Sequence, residues 1–291
     1  MKASRTIALI GAAAVLTTAA TLTPGIATAA SAASATTRTA PQRAAQTWAS
    51  ADTAAVHPGV QTQTNGAQCT SNFVFSNGSE VFLGQAAHCS GTGGETDTNG
   101  CDSGSLPLGT PVTVEGAAKP GTLVYNSWLT MQAKHETDAN TCQYNDLALV
   151  KIDPADVAKV NPSLPFWGGP TGLSTAGTSA LGTVLSYGNS ELRGGITQLS
   201  PKQGASLGDT GGGWSHTVLT VTPGIPGDSG SAFLDRDGKA LGVLSTLNLL
   251  PQPGTNGVGN LSLELAYANA NGGVGAVQMV PGTTPFRGPL L

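Results

Sequence analysis

Charged side chains are scarce in this chain: Asp, Glu, Lys and Arg make up 10% of its 291 residues, and aromatic side chains 5%. So little Lys and Glu does not supply the polar faces of a helical bundle. Thirteen basic against 17 acidic residues leave no basic patch, so neither nucleic acid nor an anionic membrane is an expected partner. No apolar run reaches the roughly 18–20 residues that a spanning helix needs. Cysteine is absent beyond position 142, and no CxxC or HxxxH spacing occurs, so a metal site is not expected.

What the chain has instead is 40 Gly and 18 Pro. That much turn-forming residue points to many short strands, and the length suits one large all-β domain with ample core. The first thirty residues read as an export signal: Lys2 and Arg5, an apolar stretch from Ile7 to Leu16, a break at Pro24-Gly25, and the small-x-small site Ala27-Thr28-Ala29. Ala30-Ser31-Ala32 would serve cleavage equally well. The expected product is secreted and extracellular. Without residues 1–30, which hold two basic residues and no acidic one, 11 basic residues stand against 17 acidic, a net charge of −6. Residues 31–56 read as a linker or short pro-segment, and 57–291 as the folded domain. Cys69, Cys89, Cys101 and Cys142 all fall in the exported part. An even count there favours two disulfides, with three connectivities open.

Strand signals recur along the folded part. NFVF (72–75) and EVFLG (80–84) flank an Asn77-Gly78 turn, a hairpin signature. PVTVEG (111–116), TLVYNSWL (122–129) and DLALVKI (146–152) follow. SALGTVLSYG (179–188), HTVLTVTP (216–223), and SAFLD (231–235) with ALGVLSTL (240–247) around Asp237-Gly238 repeat the style. LSLELAYANAN (261–271) has helical spacing at Leu261, Leu265 and Ala268, with Asn260 to cap its start and Gly272 its end.

Two Asp-Ser-Gly runs, CDSGS (101–105) and GDSGS (227–231), raise the question of an activated serine. A serine hydroxyl needs a neighbouring base, usually a histidine held in one tautomer by a buried carboxylate. His57, His135 and His216 lie in polar or strand-edge settings. His88, in GQAAHC, follows an apolar strand and precedes a cysteine. Asp146 heads the apolar strand DLALVKI. Ser103 sits in a polar loop without a preceding strand, whereas Ser229 follows a Gly-Ile-Pro-Gly turn and leads into a strand, so Ser103 is set aside. Glu95, Asp97 and Asp102 around it read as a solvated loop rather than a calcium site.

AAHC (86–89), NDLALVKI (145–152) and GDSGSAF (227–233), in that order, resemble the motifs of the chymotrypsin-like (trypsin-fold) serine proteases, in particular their secreted bacterial branch. The resemblance spans residues 57–291. It implies an all-β fold of two six-stranded antiparallel β-barrels with a C-terminal helix, and a serine endopeptidase with its site between the barrels. It assigns His88 as general base, Asp146 as its orienting carboxylate and Ser229 as nucleophile. The N–H groups of Gly227 and Ser229 would form the oxyanion hole. It also implies a Cys69–Cys89 disulfide beside the histidine, which leaves Cys101 with Cys142. No cofactor is implied; the partners are polypeptide substrates and, beyond them, a protein inhibitor.

Two departures from that family stand out. Animal members pair a freed apolar amino terminus with the aspartate before the nucleophile; no such sequence exists here, so Asp228 needs another cation, and Arg193 is the candidate. In addition, Pro223 stands at the pocket base, where a carboxylate would select Lys or Arg. The wall segment is Ser245-Thr246-Leu247, with Leu247 in place of a common glycine. This pocket is expected to favour small to medium apolar residues. A secreted esterase and a catalytically silent protease-fold binding protein are the rival readings. GDSGS does not fit GxSxG, and a complete set of three motifs speaks against a silent protein.

Overall fold

The computed structural model describes residues 46–94, 97–248 and 252–290. The expected leader, and the stretch from 31 to 45, lie outside the described residues. Residues 46–56, the end of the stretch read as a linker, pack on the folded body instead: the N–H of Ala49 donates to Val160 O, and Val56 is fully buried.

The first half builds β1 (Gln61–Thr64), β2 (Ala67–Thr70), β3 (Val74–Ser76), β4 (Val81–Ala86), β5 (Pro111–Val114), β6 (Gly121–Asn126) and β7 (Leu147–Lys151). Two helices interrupt them, α1 (Ser127–Lys134) and α2 (Ala139–Tyr144). The second half contributes β8 (Thr183–Tyr187), β9 (Pro201–Thr210), β10 (Ser215–Thr220), β11 (Ala232–Asp235), β12 (Ala240–Asn248) and β13 (Thr255–Asn260). The helix α3 (Leu261–Asn271) and the short strand β14 (Gln278–Met279) complete the described part.

The second half is a closed barrel in the order β10-β13-β12-β11-β8-β9. The first half corrects the expectation of a second six-stranded barrel: it is an eight-stranded sheet, β14-β3-β4-β7-β6-β5-β1-β2, whose ladder does not close. The reason lies at residues 71–73, where the chain changes partners. Ser71 still donates its N–H to Val60 O on the β1 side, whereas Asn72 donates to Gly84 O in β4. One continuous run is thereby split into β2, paired with β1, and β3, paired with β4 and β14.

Strand alternation sorts the core. Along β4, Val81 and Leu83 face an inner cluster of the sheet with Val112, Leu123, Met131 and Val150. Phe82 and Ala86 face the cluster shared with the barrel, among Phe75, Leu149, Leu185 and Leu234. The barrel interior is smaller, built on Val184, Val218, Phe233, Leu241, Leu244 and Val258. Helix α3 forms over the span its spacing predicts: the Asn260 side chain accepts the N–H of Ser262, and Gly272 donates its N–H to Ala268 O. The strand expected over 122–129 stops at Asn126, because its side-chain oxygen accepts the N–H groups of Trp128 and Leu129 and starts α1. Among the described residues no helix is long and apolar enough to cross a membrane.

Candidate active site

Strands β4 and β7 are antiparallel neighbours with Ala86 opposite Leu147. The residue just before β7 and the turn just after β4 therefore meet at one sheet end. Asp146 occupies the first place, and His88 the second, in a 3₁₀ turn over Ala87–Ser90. The backbone N–H of His88 donates to Asp146 Oδ1 at 2.9 Å, and its Nδ1 lies 2.7 Å from Oδ2. The Ala87 N–H donates to the Asp146 carbonyl. Ser245, read from sequence only as pocket wall, donates its hydroxyl to Asp146 Oδ2 at 2.6 Å. Three donors thus satisfy a buried carboxylate that would otherwise be strongly penalised. Burial pulls the His88 pKa down, but the charge of Asp146 and its hydrogen bond outweigh it and raise the pKa above 6.5. The Trp128 ring, 6.4 Å away between centroids, backs the imidazole.

Ser229 approaches from the barrel. Its carbonyl accepts the N–H of Thr70 at 2.8 Å, at the end of β2. The next residue, Gly230, has φ +87°, and a Cβ there would come within 2.5 Å of Thr70 O and 2.9 Å of Ala86 N. Only glycine permits that approach of the serine loop to the strand leading to His88. Gly227, at φ +90°, has its carbonyl held by Thr70 Oγ1 and Gln68 Nε2. Among the described residues, the N–H groups of Gly227 and Ser229 meet no hydrogen-bond acceptor, and no hydrogen bond joins Ser229 Oγ to His88. What the structure brings together here is backbone, with the hydroxyl left unengaged.

The disulfides are Cys69–Cys89 and Cys101–Cys142. The first stitches β2 to the His88 turn. Ligand atoms of Cys69, His88 and Cys89 cluster within 4.8 Å, but both sulfurs are spent in the bridge and cannot act as thiolate ligands. Ser103 is buried, its hydroxyl donating to Asn99 O at 2.7 Å, with no hydrogen bond to a histidine among the described residues. Asp97 and Asp102 are occupied by Gly94 N–H and Asn99 Nδ2; Glu95 lies outside the described residues. His216, read as a strand-edge residue, is fully buried, with Nδ1 2.6 Å from Asp209 Oδ1.

Asp228 finds its cation in Arg193, whose Nη2 donates to Oδ2. Sequence reasoning missed a second one: Lys202, fully buried on β9, has Nζ 3.0 Å from the same oxygen. Desolvation lowers the Lys202 pKa and the neighbouring Arg193 adds to that, while Asp228 opposes both. Both cations also reach Pro223 O, at 3.1 and 3.4 Å. The other omission is Glu264 on α3, fully buried, whose Oε1 accepts the Asp146 N–H at 2.9 Å. Its signal was present: a carboxyl between Leu261 and Leu265 on the apolar stripe of the helix.

The fold is that of the bacterial trypsin-fold serine proteases. Among solved structures, Thermobifida fusca protease A matches with a TM-score of 0.51 at 18% identity, covering 79% of this chain and all 100% of that one. Cellulomonas bogoriensis chymotrypsin matches at 17% identity with a TM-score of 0.47, covering 77% and 98% of the two chains. A Nocardiopsis protease matches at 16% identity with the same TM-score of 0.47, also over 77% and 98%. No protein-family model and no curated protein sequence matches.

Proposed function

We propose that the chain is a secreted serine endopeptidase acting through Ser229, His88 and Asp146. The observation that carries this reading is the hydrogen-bonded His88–Asp146 pair, with the backbone of the Ser229 loop tied against the strands that hold it. In the proposed reaction Ser229 Oγ attacks the scissile carbonyl carbon while His88 Nε2 takes its proton, and Asp146 stabilises the imidazolium. The N–H groups of Gly227 and Ser229, which meet no acceptor within the described residues, would receive the oxyanion. Collapse passes the proton from His88 to the departing amine and leaves an acyl-Ser229 ester, which water hydrolyses by the same steps in reverse.

Export by the leader at residues 1–30 belongs to this reading, and two disulfides suit an oxidising compartment. Pro223 and Leu247 at the pocket argue for small to medium apolar residues such as Ala, Val or Leu before the scissile bond, and against Lys and Arg. The test is substitution. Ser229→Ala should abolish fluorophosphonate labelling and lower turnover by about 10⁴–10⁶-fold, whereas Ser103→Ala should leave both unchanged. Labelling retained in the Ser229 variant would overturn the assignment.

A further inference from the structure

The pocket read for the residue before the scissile bond has Pro223 at its base, with Gly224 beside it as one wall here, and Ser245–Leu247 as the other. The space between them is already occupied. Strands β12 and β13 pair Leu247 with Asn256 and Thr246 with Gly257, which brings Asn256 alongside the Ser245–Leu247 segment. From there Asn256 Oδ1 accepts the N–H of Gly224 at 2.8 Å. Its Nδ2 donates to Gly224 O at 3.2 Å and to Thr246 O at 3.0 Å. One amide therefore bonds both walls at once and uses its oxygen and both of its N–H groups in doing so.

Asn256 is 1% exposed, so its side chain is sealed between the walls rather than projecting into an open cleft. A Cβ added at Gly224 would come within 2.8 Å of Leu244 Cδ2 and 2.9 Å of Asn256 Nδ2. Gly224 therefore packs directly against Leu244 and the Asn256 amide. Leu247, 38% exposed, stands beside Asn256 at the rim. Displacing the amide would break all three of these hydrogen bonds, so a substrate side chain cannot simply push it aside.

We infer that Asn256 is the specificity-determining residue, a crossbar that makes the pocket shallow and restricts cleavage to bonds following very small residues, Ala above Val and Leu. This rests on the endopeptidase reading and narrows it. A crossbar differs from a merely narrow pocket in that removing one side chain should deepen the slot.

The experiment uses the secreted protein with two readouts, fluorophosphonate labelling and kcat/KM on peptide p-nitroanilides differing only in the residue before the scissile bond. Wild type should be labelled and should prefer Ala over Leu by about tenfold or more, the discrimination expected when added methylenes do not fit. Asn256→Gly should raise Leu and Phe peptides relative to Ala by at least about tenfold. Asn256→Ser, which keeps one hydrogen-bonding group, should move the ranking the same way to a smaller extent. A labelled wild type that cuts Leu or Phe peptides as fast as Ala overturns the crossbar, and so does an Asn256→Gly protein with normal labelling and an unchanged ranking. If neither variant folds, a wild type that cuts Leu or Phe peptides as fast as Ala still overturns the crossbar. A wild type that is neither labelled nor active on any peptide sinks the endopeptidase reading and this inference with it.

Discussion

Glu264 places one carboxyl oxygen on the backbone N–H of Asp146, while Oε2 is buried with no partner. Ionised, it would set a second negative charge behind the carboxylate that holds His88. Burial prevents this: it raises the Glu264 pKa to about 8 against the pull of the Asp146 N–H, and the charge of Asp146 adds to the rise. The same carboxyl contributes to holding Tyr125, also desolvated, well above the usual tyrosine range. The folded chain thus keeps a proton that the unfolded chain releases near 4.5. Stability from this group is complete below that value and is lost as pH rises through about 8. Glu264→Gln keeps the acceptor and cannot ionise. It should flatten the decline between those limits and gain a few kcal/mol over wild type on the alkaline side, each pKa unit being worth about 1.4 kcal/mol. Urea unfolding at several pH values measures this; parallel stability curves for the two proteins would refute it.

At the scale of elements, Asn126 links three of them. It ends β6, its Oδ1 caps α1 through Trp128 and Leu129, and its Nδ2 donates to Ala87 O in the His88 turn at 3.0 Å. Asn126→Asp should hold the cap and lose the turn contact, while Asn126→Ala loses both. The Ala variant should be destabilised by about 1–3 kcal/mol, a lost cap plus a buried carbonyl left without its donor. Denaturant midpoints of both variants test this, and equal stability of wild type and Asn126→Ala would refute it. Asn126 also shows what the sequence could and could not tell. The β3–β4 hairpin and α3 were legible because their signals are local: the Asn77 side chain closes its own turn onto Ser79 and Glu80, and Asn260 caps its own helix. The stop at Asn126 was hidden inside an apolar run that continues into α1. Strands β9 and β13 were missed because they are rich in Gly, Ser and Thr and exist through long-range pairing. A Cβ on Gly204 would fall 2.0 Å from Leu219 O of the paired strand and one on Gly257 2.4 Å from Thr246 Oγ1, so at these two positions glycine serves close packing between strands, which no periodicity announces. The His88–Asp146 contact was readable from motif order, whereas Asn256 and Lys202 act through partners that only the folded barrel supplies.

Across the whole molecule, sheet and barrel meet at the candidate site through hydrogen bonds rather than a shared ladder. Thr70 and Gln68 hold Gly227 O, Thr70 N–H holds Ser229 O, and Asn189 N–H donates to Thr70 Oγ1. The 227–229 turn is fixed from the barrel side by the buried Asp228, which carries two cations where one would neutralise it. Its Oδ1 also accepts the N–H of Ser190. Lys202→Met leaves the Arg193–Asp228 pair intact and removes a desolvated ammonium, so it should change stability by less than about 1 kcal/mol or increase it. Arg193→Met leaves the Lys202 pair and should be tolerated nearly as well. The double variant strands a buried carboxylate and should lose about 3–5 kcal/mol, far more than the two single losses together. Its effect should extend to labelling of Ser229, because Asp228 sits between the two N–H groups proposed to receive the oxyanion. A double-mutant cycle in urea, with labelling rates on each folded protein, decides the matter: additive losses would mean that Asp228 does not depend on this pair of cations for its charge balance.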